Sequence, residues 1–437
     1  MKFSVADMIA RAKGCDPASY LGKIDKIVGM MVESQGPSAT VGELCKIHSP
    51  SGQGYVSAEV VGFRENKVLL MPYEDLMGIA PGSIVEGTKS KLRIPVSDAL
   101  IGRTVDALGR PIDGLGEIAG AERYEVETAY ANPLARPRID TKMTFGVKAL
   151  DGLLSIGKGQ RMGIFAGSGV GKSTLLGMIS RNVHADVNVI ALVGERGREV
   201  REFIERDLGP EGMARSVVVV ATSDQPAMLR LKCPMAATSI AEYFRDQGKD
   251  VLLMMDSLTR FAMAQREIGL ASGEPPVSRG YTPSMYTAMP KLLERTGNFE
   301  TGSITGIYTV LVEGDDTNEP ISDTVRGIID GHIILSRKIA ARNHYPAIDI
   351  LGSVSRLMYD IADREQSSDA SKLRNILSTY ESNYDLISIG AYKKGANPAL
   401  DAAIAKIDKI NAFLQQKVDE TFEYDETWQL MKEAIAD

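Results

Sequence analysis

The first part of the chain is built from short runs in which apolar and polar residues alternate. Residues 55–61 and 67–71 are two such runs, and Gly, Pro, Asn and Ser interrupt the pattern at short intervals between about residues 22 and 94. Alternation with a period of two places every second side chain on the same face of a strand. Short strands separated by turn residues predict a small β-barrel or sandwich in this region.

A different pattern begins at about residue 95, where near-continuous apolar runs alternate with helical segments. These runs are residues 162–166, 189–193, 217–220, 251–255 and 308–312. Uninterrupted apolar runs separated by helices are typical of parallel strands that are covered on both faces. The sequence therefore predicts an α/β domain with a mainly parallel sheet over residues 95–355.

After Ser355 the strand pattern fades and a helical period replaces it. Apolar residues recur three or four positions apart at Leu400, Ile404, Ile407, Ile410, Leu414 and Val418. This spacing places them on one face of an amphipathic helix. We expect a helical domain over residues 356–437. The apolar face can pack in the core of that domain or against another protein, and core packing is the favoured hypothesis.

The first 21 residues form a separate segment ahead of the β-barrel domain at residues 22–94. Val5, Met8, Ile9 and Ala12 would share one face of a short helix. A frayed terminus and a helix that docks onto a partner protein fit this pattern equally well. The hypothesis carried forward is a partner-docking segment over residues 1–21.

Composition and charge narrow the possible functions. A chain of 437 residues suggests two or three domains, and 44% apolar with 24% charged residues is typical of globular proteins. Fifty basic against 57 acidic residues give a net charge of −7, so we expect no nucleic-acid partner. Cys15, Cys45 and Cys233 lie far apart without metal-ligand spacing, as in a reducing compartment. The start lacks the apolar core of a signal peptide and no long uncharged apolar run occurs, so the expected location is the cytoplasm.

The strongest chemical signal is a glycine-rich loop between the first apolar run of the predicted sheet and a helical segment. Its residues, Ala-Gly-Ser-Gly-Val-Gly-Lys-Ser from Ala166 to Ser173, match a P-loop with Ala in the first position. Backbone N–H groups of such a loop cradle phosphates, helped by the positive end of the following helix. The lysine reaches the β- and γ-phosphates, and the serine hydroxyl binds Mg²⁺. We therefore expect ATP with Mg²⁺ to bind through Gly167, Ser168, Gly169, Val170, Gly171, Lys172, Ser173 and Thr174.

Two carboxylates follow predicted strands of the same sheet. Asp256 ends the run 251–255, and Glu195 comes shortly after the run 189–193. Because ligands of open parallel sheets gather at the carboxyl ends of the strands, both side chains should face the phosphates. Asp256 has the form of a Walker B carboxylate that holds Mg²⁺, and Glu195 can orient or deprotonate the attacking water.

Each carboxylate also has a purely structural alternative. Asp256 can form a structural salt bridge. Glu195 can lie at the start of a helix and be stabilised by the helix dipole, or it can form an ion pair with Arg196 or Arg198.

Several long strings together resemble the catalytic subunits of rotary ATPases. These strings are the P-loop, Gly194-Glu195-Arg196, residues 256–261, and Pro346-Ala347-Ile348-Asp349 followed by Ser353 and Ser355. The last of them is similar to the signature of the F- and V-type α/β subunits. Within this superfamily the chain most resembles the type III secretion ATPases, and specifically the flagellar export branch, in residues 161–173, 256–268, 273–276 and 311–316. The resemblance extends over nearly the whole chain from about Gly22.

The resemblance implies an α/β fold with a RecA-like P-loop ATPase core, a preceding β-barrel and a following helical domain. It also implies a homohexameric ring, adenine stacking by Tyr345 and metal binding by Ser173 and Asp256. The implied catalytic residues are Lys172, Glu195, Arg196 and Arg356, the last as an arginine finger. Because Glu195 and Arg356 lie on one chain, identical subunits arranged head to tail would complete each other's sites.

The same resemblance implies partners and a cellular role. ATP hydrolysis would help to release chaperones and to feed unfolded substrates into the export gate. The N-terminal segment would bind a regulatory stator-like protein, and a coiled-coil stalk-like protein would enter the ring centre. The expected location is the cytoplasm, in peripheral association with the membrane export apparatus.

Four other functions compete with this interpretation. An injectisome secretion ATPase would use the same chemistry on different cargo, and a rotary ATPase catalytic subunit is a more distant alternative. A non-catalytic ring subunit should lack the carboxylate at Glu195. A hexameric RNA translocase such as the terminator Rho should carry a basic, aromatic N-terminal domain, whereas here acids are interspersed among Tyr55, Phe63 and Tyr73.

Overall fold

The computed structural model describes residues 21–52, 54–128, 132–312 and 319–436 of the chain. The predicted helix containing Val5 and Ala12 lies outside the described residues, as does the docking segment up to residue 20, whereas Leu21 at its end is the first residue of a strand. The described chain divides into two compact units, residues 21–92 with 271–273, and residues 93–270 with 274–436. Within the described ranges, no helix combines the length and apolar character that crossing a membrane requires.

In the described part of the first unit, six strands close into an antiparallel barrel in the order β1-β2-β5-β4-β3-β6. The strands are β1 (Leu21–Val28), β2 (Met31–Gln35), β3 (Leu44–His48), β4 (Tyr55–Arg64), β5 (Lys67–Pro72) and β6 (Ile84–Gly87). Their inward side chains, among them Ile24, Val32, Ile47, Leu70 and Val85, form one buried cluster. The predicted barrel is confirmed.

The second unit is built on a sheet of nine strands among the described residues, in the order β19-β18-β12-β17-β15-β13-β14-β8, with β16 beside β17. Neighbours pair in parallel except for β18–β19 and β16–β17, so the predicted mainly parallel sheet is confirmed. Its strands and the shorter ones outside it are β7 (Arg93–Val96), β8 (Thr104–Asp106), β9 (Glu122–Glu125), β10 (Lys142–Met143), β11 (Ile156–Gly157), β12 (Arg161–Ala166), β13 (Val187–Glu195), β14 (Ser216–Thr222), β15 (Asp250–Asp256), β16 (Gly297–Asn298), β17 (Ser303–Leu311), β18 (Gly331–Leu335) and β19 (Ile348–Ser355).

Helices cover this sheet and fill the C-terminal region. They are α1 (Lys148–Leu153), α2 (Lys172–Asn182), α3 (Gly197–Glu202), α4 (Gly209–Met213), α5 (Ala227–Asp246), α6 (Leu258–Ala271), α7 (Pro283–Leu293), α8 (Pro320–Ile328), α9 (Arg337–Ala340), α10 (Met358–Ile361), α11 (Arg364–Ser382), α12 (Tyr384–Ser388), α13 (Pro398–Leu414) and α14 (Tyr424–Ile435). A π-helical turn, Phe203–Leu208, joins α3 to α4. One hydrophobic cluster contains Ile164 of the sheet, Leu175 of α2 and Ile410 of α13, so the C-terminal helices share the core of the sheet.

The apolar face predicted for the last region is mostly the core-packing face of α13. Leu400, Ile407, Ile410 and Leu414 are buried, which confirms the favoured hypothesis for these residues. The prediction is wrong for Val418, because α13 ends at Leu414 and Val418 lies beyond it with 47% of its surface exposed. Gln415 adopts an extended backbone that turns the chain out of the helix.

Gln416 holds this turn against the rest of the unit. Its side-chain oxygen accepts from the N–H of Lys148 at 2.9 Å, and its amide donates to the carbonyls of Gly146 at 2.8 Å and Glu420 at 2.9 Å. Its own backbone N–H donates to the carbonyl of Tyr345 at 3.0 Å. The side chain is buried, so these bonds replace water that cannot reach it.

We expect Gln416→Ala to lower the free energy of unfolding by about 2–4 kcal/mol, because the N–H of Lys148 and two carbonyls lose their partner. The exposed neighbour provides a matched control, since Gln415→Ala should change stability by less than about 0.5 kcal/mol. Denaturant unfolding of both variants measures the difference. Equal stabilities would show that the Gln416 side chain does not secure the turn.

Candidate active site

The glycine-rich loop lies at the carboxyl end of β12, directly before α2. Gly169 and Gly171 have φ angles of 77° and 89°, in the left-handed region that glycine adopts without strain. Gly171 is also the N-cap of α2, so the free N–H groups of an eleven-residue helix point toward the loop. This is the arrangement that binds phosphate at a helix N-terminus.

Three charged side chains from three elements meet beside this loop. The Lys172 ammonium at the start of α2 forms a short ion pair with Asp256 at the end of β15, and it lies 3.6 Å from Oε1 of Glu195 at the end of β13. All three side chains are at least 85% buried, because their exposed fractions are 12%, 6% and 15%. The parallel strand order brings these residues together, as expected for the carboxyl edge of such a sheet.

A local irregularity in β13 sets the direction of Glu195. The pairing of β13 with β14 skips one residue between Val193 and Glu195, so Gly194 is the extra residue of a β-bulge. Gly194 has a φ of 66°, and a side chain there would meet the Arg260 side chain at 3.0 Å. Bulges redirect the side chain that follows them. Here the bulge ends the strand with the carboxylate beside Lys172.

The electrostatics of the cluster differ from those of exposed side chains. Burial and the nearby Asp256 charge raise the pKa of Glu195 to about 7, and Lys172 opposes this shift without cancelling it. Burial lowers the pKa of Lys172, but the carboxylates of Asp256 and Glu195 outweigh burial and leave that pKa above its usual value. Lys172 therefore stays cationic, while Glu195 gains and loses its proton near neutral pH.

A cavity of about 90 Å³ opens beside this cluster, with Ser173, Glu195 and Asp256 in its wall. A hydroxyl and a carboxylate are the hard oxygen donors that Mg²⁺ prefers, and Mg²⁺ typically takes few protein ligands together with phosphates and water. Among the described residues no group of three or more His, Cys, Asp or Glu could hold a metal without other ligands. The residues present therefore fit a Mg²⁺ ion that is held jointly with a bound nucleotide.

The alternative ion pairs of Glu195 are not the ones that form. Arg196 is 77% exposed and lies 3.5 Å from Glu199, while Arg198 pairs with Glu202 at 2.5 Å. Arg196, which the sequence grouped with the catalytic residues, is therefore largely exposed and paired with Glu199.

Tyr345 lies next to the loop. A side chain placed on Gly171 would come within 3.5 Å of the Tyr345 ring, and Tyr345 as a residue is 43% exposed. One edge of the ring therefore packs on the start of α2 while the rest remains open to a ligand.

Arg356 lies at the opposite edge of the sheet. It follows β19, which runs antiparallel to β18, and Ser355 pairs with Gly331 at the beginning of β18. Gly331 in turn pairs with Met162 near the beginning of β12, so Arg356 is level with the amino ends of the parallel strands. Its guanidinium is exposed and donates to the carbonyl of Arg326 at 3.1 Å.

Two residues of the site were not predicted from the sequence. The Arg337 guanidinium lies over Gly167, because a side chain at Gly167 would be 2.7 Å from Arg337 Nη2. The Thr309 hydroxyl donates to Oδ1 of Asp256 at 2.7 Å. Arg337 follows β18, a neighbour of β12, so the rule of carboxyl strand ends could have identified it. A single Thr within the apolar strand β17 gave no signal.

Comparison with known families matches the three parts of the chain. Residues 146–355 match the family model described as "ATP synthase alpha/beta family, nucleotide-binding domain". Residues 24–89 match the model described as "ATP synthase alpha/beta family, beta-barrel domain". Residues 362–433 match "T3SS EscN ATPase C-terminal domain". The last match separates this chain from family members that carry a different C-terminal region.

Similar proteins come from flagellar and secretion systems. The flagellum-specific ATP synthase of Bacillus subtilis (strain 168) is 56% identical, and the alignment covers 93% of each chain. The type 3 secretion system ATPase of Xanthomonas euvesicatoria is 50% identical over 95% of this chain and 94% of that protein. The solved structure of the assembled ATPase EscN from the enteropathogenic E. coli type III secretion system is 45% identical with a TM-score of 0.90, covering 95% of this chain and all of that one.

EscN has also been solved in complex with its central stalk EscO, at 44% identity and a TM-score of 0.88 over 95% of this chain and all of that one. These similarities extend through barrel, sheet and C-terminal helices, and they agree with a P-loop flanked by two carboxylates. The chain belongs to the ATP synthase alpha/beta family and, within it, to the ATPases of type III secretion and flagellar export.

Proposed function

We propose that this chain is the ATP-hydrolysing motor of the flagellar protein export apparatus and that it works as a homohexameric ring. Each ATP is bound by the P-loop of one subunit, and Arg356 of the next subunit completes the active site around it. Hydrolysis promotes release of chaperones and entry of unfolded substrates into the export gate.

The observation that carries the ring proposal is the separation of two residue sets within one chain. Lys172 and Glu195 lie at the carboxyl edge of the sheet, whereas Arg356 lies at the amino edge. The length of β12 alone places the two edges roughly 15 Å apart. Arg356 therefore cannot serve the P-loop of its own chain, but a head-to-tail neighbour can present it there.

The residues of one subunit divide the chemistry among them. Lys172 transfers its contact from Asp256 to the phosphates, and Tyr345 stacks on the base. Glu195 orients the attacking water and accepts its proton, and Arg356 of the neighbour neutralises charge on the transferring phosphoryl group. Ser173 and Asp256 would hold Mg²⁺, which would offset the negative charge of the phosphates.

We expect kcat/KM for ATP hydrolysis to depend on pH through Glu195. Because its pKa is raised to about 7 in the nucleotide-free chain, the carboxyl is protonated below that pH and cannot accept a proton. The value of kcat/KM reports ionisations of the free enzyme, so it should fall about tenfold per pH unit below that pKa and level off above it. Measurements with Mg²⁺ in excess over ATP test this expectation. Loss of the acid limb in the residual activity of Glu195→Gln would support it, and a flat wild-type profile would contradict it.

The proposed partners follow from the export role. A regulatory stator-like protein binds residues 1–21, a coiled-coil stalk-like protein enters the ring centre, and chaperone–substrate complexes and export gate proteins act at its surfaces. The proposed location is the cytoplasm, with peripheral association at the membrane export apparatus, and nucleic acid is not a partner.

A deletion strain distinguishes flagellar export from its main alternative. Relatives named as flagellar and as type 3 secretion ATPases are 56% and 50% identical, so an injectisome role is the second candidate. If the flagellar proposal is correct, deletion abolishes export of filament protein and motility, and the wild-type gene restores both. Normal filament export together with lost effector secretion would favour the injectisome role.

A further inference from the structure

Thr309 is a buried polar residue in an apolar layer of the sheet. It lies near the carboxyl end of β17, which pairs with β15, and Tyr308 is in register with Met255. Its side chain is fully buried, between neighbours such as Ile307 and Val310 that are apolar. A buried hydroxyl is unfavourable unless it is hydrogen-bonded, so its partner matters.

Its closest partner is the carboxylate of Asp256, and the carbonyl of Met255 is a second, longer acceptor at 3.2 Å. The Thr309 hydroxyl donates to Oδ1 at 2.7 Å, and the same oxygen accepts from the Lys172 ammonium. A hydrogen bond to a charged acceptor is roughly twice as strong as one between neutral groups. Thr309 and Lys172 thus hold one oxygen of Asp256 from two sides.

Only one of these two contacts is exposed to competition from a nucleotide. Lys172 belongs to the P-loop, so phosphates compete with Asp256 for its ammonium. Thr309 is enclosed in the sheet and cannot reach the phosphates, so its bond to Asp256 can persist when the lysine turns away. With Oδ1 fixed, the Asp256 carboxylate keeps its orientation beside the cavity that Asp256 and Ser173 both line.

We propose that Thr309 is a positioning residue that orients Asp256 for the Mg²⁺-nucleotide complex. This inference rests on the proposed metal role of Asp256. In this proposal Thr309 does not contact the substrate. Removing its hydroxyl should therefore weaken nucleotide binding in the presence of Mg²⁺ and leave binding in the absence of Mg²⁺ unchanged.

The test measures ADP binding by calorimetry in excess Mg²⁺ and in EDTA, and takes the ratio of the two affinities. Thr309→Val keeps the shape of the side chain and removes the hydroxyl, and it should reduce the ratio by roughly tenfold with no change in EDTA. Thr309→Ser restores the hydroxyl and should restore the ratio. Thr309→Ala is a second hydroxyl-free variant in case the valine protein does not fold.

The matched control is Thr305→Val on the same strand and the same face. Thr305 is also fully buried, but its hydroxyl accepts from the N–H of Gly159 at 2.9 Å, at the other end of β17. This variant should leave the affinity ratio unchanged, whatever it does to thermal stability.

Asp256→Asn separates failure of this inference from failure of the proposed function. If Asp256→Asn lowers the ratio and neither hydroxyl-free variant does, the role of Thr309 is overturned while the metal role of Asp256 stands. An equal loss of affinity with and without Mg²⁺ in Thr309→Val would reveal a merely structural residue and also overturn the inference. An unchanged ratio in Asp256→Asn would overturn the metal role itself and the inference with it.

Discussion

Replacing Glu195 with Gln is expected to slow ATP turnover by about 10²–10⁴-fold while nucleotide still binds. The amide has nearly the same size as the carboxylate, and its oxygen can still face the Lys172 ammonium, 3.6 Å away in the native chain. It cannot accept a proton from water, and it carries no charge to orient that water. Binding should therefore survive while the chemical step fails.

Single-turnover hydrolysis and equilibrium nucleotide binding measure these two effects separately. Glu205→Gln is a matched control. Glu205 lies on the π-helical turn that follows α3, and it makes an exposed ion pair with Arg201 of α3. That control should keep wild-type turnover. If Glu195→Gln also retained near-normal turnover, Glu195 would have no part in the reaction.

Replacing Arg356 with Ala is expected to lower the activity of the assembled ring by about 10³–10⁵-fold, the range known for arginine fingers. The side chain is exposed at the amino edge of the sheet. It donates a hydrogen bond to the carbonyl of Arg326, which is not part of the P-loop. The low activity of a dissociated subunit should be unaffected, because that subunit has no neighbour to supply the residue.

The dissociated and assembled states are compared by measuring specific activity over the protein concentrations at which the subunits assemble. Arg364→Ala is a suitable control, since Arg364 is an exposed arginine at the start of α11. An equal loss in dissociated and assembled Arg356→Ala protein would contradict the assignment of Arg356 to the neighbouring site.

The parts of this structure that follow local rules were predictable from the sequence. The P-loop is a contiguous string, and Asp256 ends an apolar run, so the topology of parallel strands was enough to place both at one edge. The barrel was predictable because short alternating runs and turn residues determine it locally. The family resemblance supplied the roles of Tyr345 and Arg356, which no local pattern carries.

The parts that depend on tertiary contacts were not predictable. The helical period continues to Val418 in the sequence, but the buried bonds of Gln416 end the helix four residues earlier. Neither β18 nor β19 appeared as an apolar run, because buried and partly exposed residues alternate in them. The location of Arg356 at the far edge follows only from the register of these two strands.

Mixing two inactive variants tests whether two copies of the chain build one site. Glu195→Gln subunits keep Arg356, and Arg356→Ala subunits keep Glu195, so a ring assembled from both contains some seams with a complete set of residues. If the two side chains meet across subunits, each variant alone is inactive and the co-assembled mixture regains a measurable fraction of wild-type hydrolysis. A co-assembled mixture that stays as inactive as its separate components would show that the two side chains do not meet across subunits.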